Sequence, residues 1–236
     1  MYTQAATILA FATAALASVT PGMKLDERSL VRRSLSGQAT YYGGNVQGGA
    51  CSFSTYTLPS GLYGTALSDS NWNTAGNCGG CISVNYGGKS VTAMIIDECP
   101  GCGSNHLDLF PDAFKALDNP SAGVIDVTWD YIVCPTSAIS ASDPLEIHMK
   151  SGVSEYWFSA QVVGARRRTS KLEVSTDQGS TWQAADRTDY NFYEINSGVG
   201  ASSAWVRTTS NVGTTVVVKD VPMTGDSVTK AGENYS

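Results

Sequence analysis

The chain has 236 residues, of which 42% are hydrophobic and 15% charged, and its net charge is −6. A disordered chain has fewer apolar residues, and a polybasic nucleic-acid binder has an excess of Lys and Arg, so the composition argues against both classes. Ordinary soluble domains carry about 25% charged residues. The 24 glycines, together with the many Ser and Thr residues, are typical of turn-rich β structure.

The N-terminal segment predicts export. Residues 5–17 form an uncharged, Ala-rich run that ends in small residues, like the apolar region and cleavage site of a signal peptide. The run is too short to span a bilayer. We interpret residues 1–17 as a signal peptide and residues 18–33, which end in the dibasic pair Arg32-Arg33, as a propeptide; the alternative for 18–33 is a disordered arm. The mature chain should begin near Ser34, be extracellular and come from a fungus.

All cysteines lie in the first half of the mature chain, so the two halves are stabilised differently and two domains are expected. The six are Cys51, Cys78, Cys81, Cys99, Cys102 and Cys134. Two Cys-x-x-Cys pairs 17 residues apart also fit a four-cysteine zinc site. The even number and the oxidising compartment favour three disulfides, whereas a redox role would need a βαβ context. Six cysteines allow 15 pairings.

Residues 34–136 read as short β-prone runs between turns rich in Gly, Asn and Ser. Strands are predicted at residues 38–42, 81–86, 90–96 and 124–133. Residues 85–89 have hairpin chemistry. One short helix is predicted from Pro111, with Phe110, Phe114 and Leu117 on one face, and it ends before Asn119-Pro120.

Residues 137–144 are small and polar and end in proline, as an interdomain linker does. Beyond them, strands are predicted at residues 145–149, 156–163, 171–175, 204–208 and 214–221. Evenly spaced strands without cysteine predict an antiparallel sandwich over residues 145–236. The negative charge lies mainly in the first half, which has 2 basic and 8 acidic residues against 9 and 11 in the second.

The candidate chemistry is concentrated between residues 97 and 108. A predicted strand ends at Asp97, a cysteine-containing turn follows, and His106-x-Asp108 stands directly before the predicted helix. Purely structural roles would make Asp108 a helix N-cap and Asp97 an acceptor of turn amides. A functional role would bring two carboxylates and an imidazole together at the rim of one β unit, where sites commonly lie.

This segment, with the sequence Ala-Thr-Tyr-Tyr-Gly at residues 39–43 and the spacing of the six cysteines, resembles the expansins and their microbial expansin-like relatives. The second half resembles their carbohydrate-binding domain through Lys150, Tyr156-Trp157, the Lys-Leu-Glu of residues 171–173 and the Asp-Tyr-Asn of residues 189–191. The resemblance implies an all-β protein, with a six-stranded double-psi β-barrel over residues 34–136 followed by an immunoglobulin-like β-sandwich over residues 145–236. It also implies the pairs Cys51–Cys78, Cys81–Cys134 and Cys99–Cys102.

The resemblance assigns two sets of site residues. The barrel groove would contain Thr40, Tyr42, Asp97, His106 and Asp108. The carbohydrate-binding surface of the sandwich would contain Lys150, Tyr156, Trp157, Tyr190 and Asn191. The family often has two adjacent tryptophans where this chain has Tyr156-Trp157, so binding to crystalline glucan should be weaker.

Two qualifications concern the aromatic residues and the basic run. Neighbours on a regular strand point to opposite faces, so Tyr156 and Trp157 share a surface only if the strand is bulged or ends there. Trp182 and Trp205 are assigned to the core, and residues 166–168, three consecutive arginines, to a solvated turn.

The barrel of the family is similar to that of inverting endoglucanases, in which one Asp is the general acid and a second Asp the general base. Asp108 matches the acid, but Gly43 occupies the position of the base, and a positioned base contributes about 10²–10⁴ in rate. The resemblance therefore implies a non-hydrolytic protein that loosens cell walls. It would bind cellulose or a related β-glucan, with xylan and chitin as other possible polymers.

Other functions stay open beside wall loosening. The alternatives are a weak endo-β-glucanase with Asp108 as general acid, and a binding-only module of the barwin type. No cofactor, metal, nucleic acid or membrane is expected, and the chain should be a monomer.

Overall fold

The computed structural model describes residues 34–236. The predicted signal peptide and propeptide, residues 1–33, lie outside the described residues. Within residues 34–236, none of the helices combines the length and the apolarity that crossing a membrane requires.

The first part of the described chain is a closed β-barrel with one helix. Its elements are β1 (Leu35–Tyr41), β2 (Tyr63–Ser68), β3 (Cys81–Tyr86), β4 (Lys89–Cys99), β5 (Leu107–Leu109), α1 (Pro111–Leu117) and β6 (Ile125–Ile132). The strands close in the order β1-β5-β2-β4-β3-β6. Two pairs, β1 with β5 and β2 with β4, are parallel, and the other pairs are antiparallel. The predicted six-stranded barrel is confirmed.

Four of the six barrel strands and the helix match the sequence prediction. The strands that it missed are β2, whose last five residues are all buried, so that no alternation marks it, and β5, which has only three residues. Helix α1 begins at Pro111, whose fixed φ suits a first turn. Its side chains Phe114 and Leu117 are 0% and 1% exposed and cover the barrel core with Trp129 and Ile82.

Three disulfides connect the barrel segments, and none of the described cysteines is free. They join Cys51 to Cys78, Cys81 to Cys134 and Cys99 to Cys102, the pairs that the resemblance implies. No thiolate is therefore left as a zinc ligand.

The second part of the chain is an antiparallel sandwich. Its strands are β7 (Glu146–Met149), β8 (Phe158–Val163), β9 (Thr169–Ser175), β10 (Gln183–Arg187), β11 (Tyr193–Ile195), β12 (Ser203–Ser210), β13 (Thr215–Pro222) and β14 (Val228–Lys230). They follow the order β13-β12-β9-β10-β11-β8-β7-β14. The first half of β10 pairs with β9 and the second half with β11, so this strand connects two layers that share one buried core. The predicted sandwich is confirmed.

Direct hydrogen bonds join the barrel to the sandwich. The carbonyl oxygen of Cys51 accepts from Gln161 Nε2 at 2.8 Å and from Asn191 Nδ2 at 3.2 Å. The indole of Trp72 donates to the carbonyl of Asp189 at 3.2 Å. The acceptors of these bonds are backbone carbonyls and the donors are buried side chains. The loop at residues 189–191 is therefore fixed against the barrel.

The arginine run at residues 166–168 belongs to the same contact region, and its assignment to a solvated turn is wrong. The carbonyl of Arg166 accepts a hydrogen bond from the amide of Cys134 at 3.0 Å. The guanidinium of Arg168 lies 4.1 Å from the ring centre of Tyr131 and donates to Asn77. Arginine stacks on aromatic faces and forms several directed hydrogen bonds at once, and these properties are used here to attach the sandwich to the barrel.

Candidate functional site

Four strands of the barrel place four side chains in one row. Thr40 on β1 is paired with Asp108 on β5, Asp108 with Ala66 on β2, and Ala66 with Asp97 on β4. Directly paired residues point to the same face of a sheet. The small side chain of Ala66 separates the two carboxylates, and we call the row of these four residues the floor of the groove.

A bulge in β4 brings Asp97 onto this face. Thr65 is paired with Ile95, but the next residue, Ala66, is paired with Asp97, so Ile96 has no partner of its own. Without that extra residue Asp97 would point to the opposite face. The bulge therefore lets Ile96 stay in the core, where it is 0% exposed, while Asp97 lies in the groove.

Thr40, His106 and Asp108 form one hydrogen-bonded group. Thr40 Oγ1 donates to Asp108 Oδ1 at 2.6 Å and lies 2.9 Å from His106 Nε2. A hydroxyl has a single proton, so the imidazole is the donor of the second bond and carries a proton on Nε2. In residues 34–236 the other carboxylate oxygen, Asp108 Oδ2, has no hydrogen-bond partner, which leaves it available to a ligand.

Asp97 is engaged much more completely. Its Oδ1 accepts from the amides of Ala50 at 2.7 Å and Glu98 at 2.9 Å, and its Oδ2 accepts from Tyr42 Oη at 2.9 Å. A carboxylate offers about four acceptor positions, so three are occupied. Burial of the Tyr42 phenol and the adjacent Asp97 carboxylate raise the pKa of Tyr42, which keeps the phenol protonated and donating. The structural alternative, in which Asp97 accepts turn amides, is what the structure shows.

The N-cap alternative for Asp108 is wrong. Helix α1 has Phe110 at its N-cap and no side-chain capping hydrogen bond. Asp108 lies on β5, two residues earlier, where its backbone belongs to the barrel. Its carboxylate is thus held for the groove and does not stabilise the helix.

On the sandwich, one lysine lies among three aromatic rings. Lys150 Nζ is 4.2 Å from the ring centre of Tyr190, 5.2 Å from that of Phe192 and 5.8 Å from that of Trp157. We call these four residues the aromatic platform. Glu194 holds two members of the platform in place, because Glu194 Oε1 accepts from Tyr190 Oη at 2.8 Å and lies 3.8 Å from Lys150 Nζ.

Two members of this arrangement were absent from the sequence prediction. Phe192 and Glu194 follow Tyr190 at the i+2 and i+4 positions, and Glu194 also accepts from Ser159 Oγ at 3.0 Å. The alternation of residues 190, 192 and 194 is the signal that could have identified them, since residues at this spacing share one face of an extended segment.

Tyr156 and Trp157 lie just before a strand. Strand β8 begins at Phe158, and Ser154 and Trp157 exchange two backbone hydrogen bonds across a tight turn. The strict alternation of a strand therefore does not apply to this pair. Trp157 joins the platform, whereas Tyr156 is 74% exposed at the turn.

The structure removes Asn191 from the predicted carbohydrate-binding surface. Its side chain is 7% exposed and donates to the barrel through the carbonyl of Cys51. Its φ of 63° lies in the left-handed region, which Asn tolerates better than most residues. Asn191 therefore fixes the orientation of the neighbouring Tyr190 relative to the barrel.

The assignment of Trp182 and Trp205 to the core is also wrong. Both are partly exposed and stand outside the buried cluster of the sandwich. The guanidinium of Arg207 lies 4.2 Å from the ring centre of Trp182, and Lys219 Nζ lies 4.6 Å from that of Trp205. These cation–π contacts place both indoles on the outer face of the sheet.

Comparison with known proteins agrees with this architecture. A family model described as "Lytic transglycolase" matches residues 64–129, within the barrel. Expansin-YoaJ of Bacillus subtilis is 29% identical over 188 residues, which cover 78% of this chain and 76% of that protein. Expansin-like protein 1 of Dictyostelium discoideum is 28% identical over 165 residues; the match covers 66% of this chain but only 56% of that relative.

A solved structure is similar across both parts. The apo form of an expansin from Clavibacter michiganensis has a TM-score of 0.76 and 27% identity, and the match covers 86% of this chain and 98% of that one. A point mutant of the Clavibacter protein, solved in complex with cellohexaose, matches equally well. The closed barrel, the following sandwich, the three disulfides and these relatives lead to one conclusion: the chain is similar to the two-domain proteins of the expansin family.

Proposed function

We propose that this chain is a secreted protein that binds cellulose or a related β-glucan and loosens cell walls without cutting the polysaccharide. The Clavibacter relative was solved with cellohexaose bound, which supports a β-linked glucan as the ligand. The barrel groove and the aromatic platform would bind the polymer together, because the loop that carries Tyr190 is hydrogen-bonded to the barrel at Cys51.

The observation that carries the non-hydrolytic proposal is the state of the two groove carboxylates. Inverting hydrolysis needs an acid and a base about 6.5–9.5 Å apart, with a water in between. Asp108 has a free oxygen and could act as the acid, but Asp97 already accepts three hydrogen bonds. At Gly43, the position of the base in the related endoglucanases, there is open space in place of a carboxylate.

The same groups are suited to exchanging hydrogen bonds with a glucan. Asp108 Oδ2 can accept from a sugar hydroxyl. Rotation of the Thr40 hydroxyl can redirect its proton from Asp108 Oδ1 without moving the backbone. The platform supplies affinity through stacking, at about 0.5–1.5 kcal/mol for each well-formed aromatic contact. Contacts between polymer chains would weaken as one of them exchanges its hydrogen bonds for those of the groove.

A paired assay tests this proposal. The protein is applied to a cellulose network under load while reducing ends are counted in the same sample. We expect the network to extend without sustained release of reducing ends, and Asp108→Asn to reduce the extension. Sustained release by the parent that is lost in Asp108→Asn would overturn the non-hydrolytic proposal.

One observation favours a second candidate, a weak glycan-cleaving enzyme with Asp108 as general acid. The family model described as "Lytic transglycolase" covers residues 64–129, which include both groove carboxylates. The reducing-end count on parent and Asp108→Asn distinguishes the two candidates, since only a cleaving enzyme releases ends in proportion to time.

Export and processing form part of the same proposal. Cleavage after residue 17 and after Arg33 would leave residues 34–236, with a barrel at 34–136, a linker at 137–144 and a sandwich at 145–236. N-terminal sequencing of the secreted chain should give Ser34. A chain that starts at residue 18 would show that Arg32-Arg33 is not cleaved.

A further inference from the structure

A cleft of about 470 Å³ lies where the barrel meets the sandwich. Its volume falls within the range of about 300–1,000 Å³ found for small-molecule sites. One wall comes from a barrel loop and the other from the sandwich, and side chains that line them include Gln47, Ser54, Thr55, Lys150, Tyr190 and Phe192. An aromatic wall that faces hydroxyl and amide groups is suited to a sugar ring, which has an apolar face and a polar edge.

The cleft lies at the junction between the groove and the aromatic platform. Gly49 is part of its lining, and a Cβ atom on Gly49 would be 3.3 Å from the Cβ of Asp97. Lys150 and Tyr190 belong to both the cleft and the platform. A glucan backbone that ran from groove to platform would therefore pass the mouth of the cleft, and a substituent on that backbone could enter it.

An amide acceptor in the cleft has no partner within the described part of the chain. Gln161 lines the cleft, and the residue is only 2% exposed. Its Nε2 donates to the carbonyls of Cys51 at 2.8 Å and Asn191 at 3.5 Å, while its Oε1 accepts no hydrogen bond from residues 34–236. This oxygen is not one of the fully buried side-chain atoms without a partner in residues 34–236, which are Arg166 Nε, Arg187 Nε and Thr208 Oγ1. It is therefore reached from the cleft and can accept from a hydroxyl donor.

The charges in the cleft favour a neutral ligand. Lys150 lies 3.8 Å from Glu194, and His148 is hydrogen-bonded to Glu146 at 2.8 Å. Asp226, also in the lining, adds a further carboxylate. Each basic group is thus balanced by a carboxylate, and an acidic sugar would gain no net attraction.

We propose that this cleft is a subsite for a single neutral sugar branch of a substituted β-glucan. The inference rests on the proposed polysaccharide-binding function and makes it specific. The backbone would lie along the groove and the platform, and the branch would place its apolar face against Phe192 and Tyr190 and a hydroxyl against Gln161 Oε1. The protein would then prefer branched over linear glucans.

Calorimetric titration of the full chain with three oligosaccharides of equal backbone length tests the proposal. The probes are a linear β-1,4-glucan, the same backbone with α-xylosyl branches, and the same backbone with uronic acid branches. We expect the xylosylated probe to bind at least fivefold more tightly than the linear one, and the acidic probe no more tightly than the linear one.

Two variants test whether the preference for the xylosylated probe arises in the cleft. Ser54→Trp fills the cleft, and Ser60→Trp places the same side chain at an exposed position of the same loop region that does not line the cleft. Ser54→Trp should lose the preference for the branched probe and keep its affinity for the linear one, while Ser60→Trp should keep both. If Ser54→Trp fails to fold, Thr55→Trp serves instead.

The outcomes separate the two proposals. Equal affinity for linear and xylosylated probes, or tighter binding of the acidic probe, overturns the neutral-branch subsite. A preference that survives in the cleft-filled variants overturns its location. If the linear probe does not bind to the parent at all, the proposed function itself fails, and the subsite fails with it.

Discussion

The barrel groove and the aromatic platform are held in place in different ways. In the groove, backbone amides and neighbouring side chains occupy most of the polar groups, and Asp97 alone accepts three hydrogen bonds. On the platform, the rings of Tyr190 and Trp157 are partly exposed and are arranged around a single cation, Lys150. The groove is therefore rigid and offers few free groups, whereas the platform offers apolar surface.

Because of this difference, we expect the groove to orient a sugar chain and the platform to supply most of the affinity for it. A rigid groove with one free carboxylate oxygen can position a sugar chain and exchange hydrogen bonds with it, but each such exchange contributes little net free energy because water competes for the same groups. Under the proposed function, stacking on the platform would remove apolar sugar faces from water and would supply affinity without charge. Changes to the groove should therefore affect stability and loosening, and changes to the platform should affect binding.

The largest effect is expected from Gly49→Ala. A Cβ at this position would lie 2.2 Å from the carbonyl oxygen of Ile96, so the loop would shift and Ala50 would lose its hydrogen bond to Asp97. Overpacking of this kind costs about 1–3 kcal/mol, which denaturant unfolding would measure. Gly43→Ala is the matched control, because nothing lies within 4 Å of its Cβ, and it should change the stability by less than about 0.5 kcal/mol. Equal costs at the two glycines would mean that the loop does not depend on the close approach to β4.

The sequence indicated which groove residues lie near one another, but not the geometry that brings them together. The position of Asp97 near the end of a strand and the His-x-Asp spacing pointed to groups that the structure places on neighbouring strands of the barrel, and Phe114 and Leu117 correctly predicted the buried face of α1. The bulge at Ile96 was not predictable, because a run of apolar residues gives no signal for a register shift that depends on pairing with β2.

The sandwich surface was harder to read from the sequence for a related reason. Burial of an aromatic or an amide depends on which module covers it. Asn191 is buried because the barrel places the carbonyl of Cys51 against it. Trp205 is on the outer face because its β12 neighbours, Ala204 and Val206, face the core. A contact between distant segments decided the first case, on which a local pattern carries no information, whereas the alternation along β12 decided the second.

The next largest effect is expected from Trp157→Ala, which removes one ring of the platform. Loss of one aromatic contact costs about 1 kcal/mol, or roughly fivefold in affinity for cellulose, and binding isotherms on insoluble cellulose would measure it. Trp182→Ala is the matched control, since it removes a partly exposed indole that stacks with Arg207 away from the platform. A loss of affinity that is equal in the two variants would contradict the platform, because it would assign binding to the sandwich as a whole.

A smaller effect is expected from Asn191→Gly, which retains the left-handed backbone but removes the amide that donates to Cys51. Gln161 still donates to the same carbonyl, so the cost should be about 0.5 kcal/mol, at the low end for a hydrogen bond. The more specific measurement is hydrogen exchange at the indole of Trp72, which donates to Asp189 in the same loop. Exchange should accelerate there and stay unchanged at Trp129, whose indole bonds within the barrel. Unchanged exchange at both indoles would show that Asn191 does not hold the loop.

The smallest effect is expected from Glu98→Gln, beside the groove. Burial, and then the nearby carboxylates of Asp69, Asp189 and Asp97, raise the pKa of Glu98 above its ordinary value of 4.5. A carboxyl with a raised pKa in the folded state stabilises the fold while it is protonated, and this stability is lost as the pH rises through that pKa. The melting temperature of Glu98→Gln should therefore exceed that of the parent at pH 7, and the difference should shrink as the pH falls towards 4.

Glu233→Gln removes one exposed negative charge elsewhere on the sandwich and serves as the control. A difference for Glu98→Gln that stays constant with pH, or that matches the control at every pH, would show that the carboxylates of Asp69, Asp189 and Asp97 do not raise the pKa of Glu98.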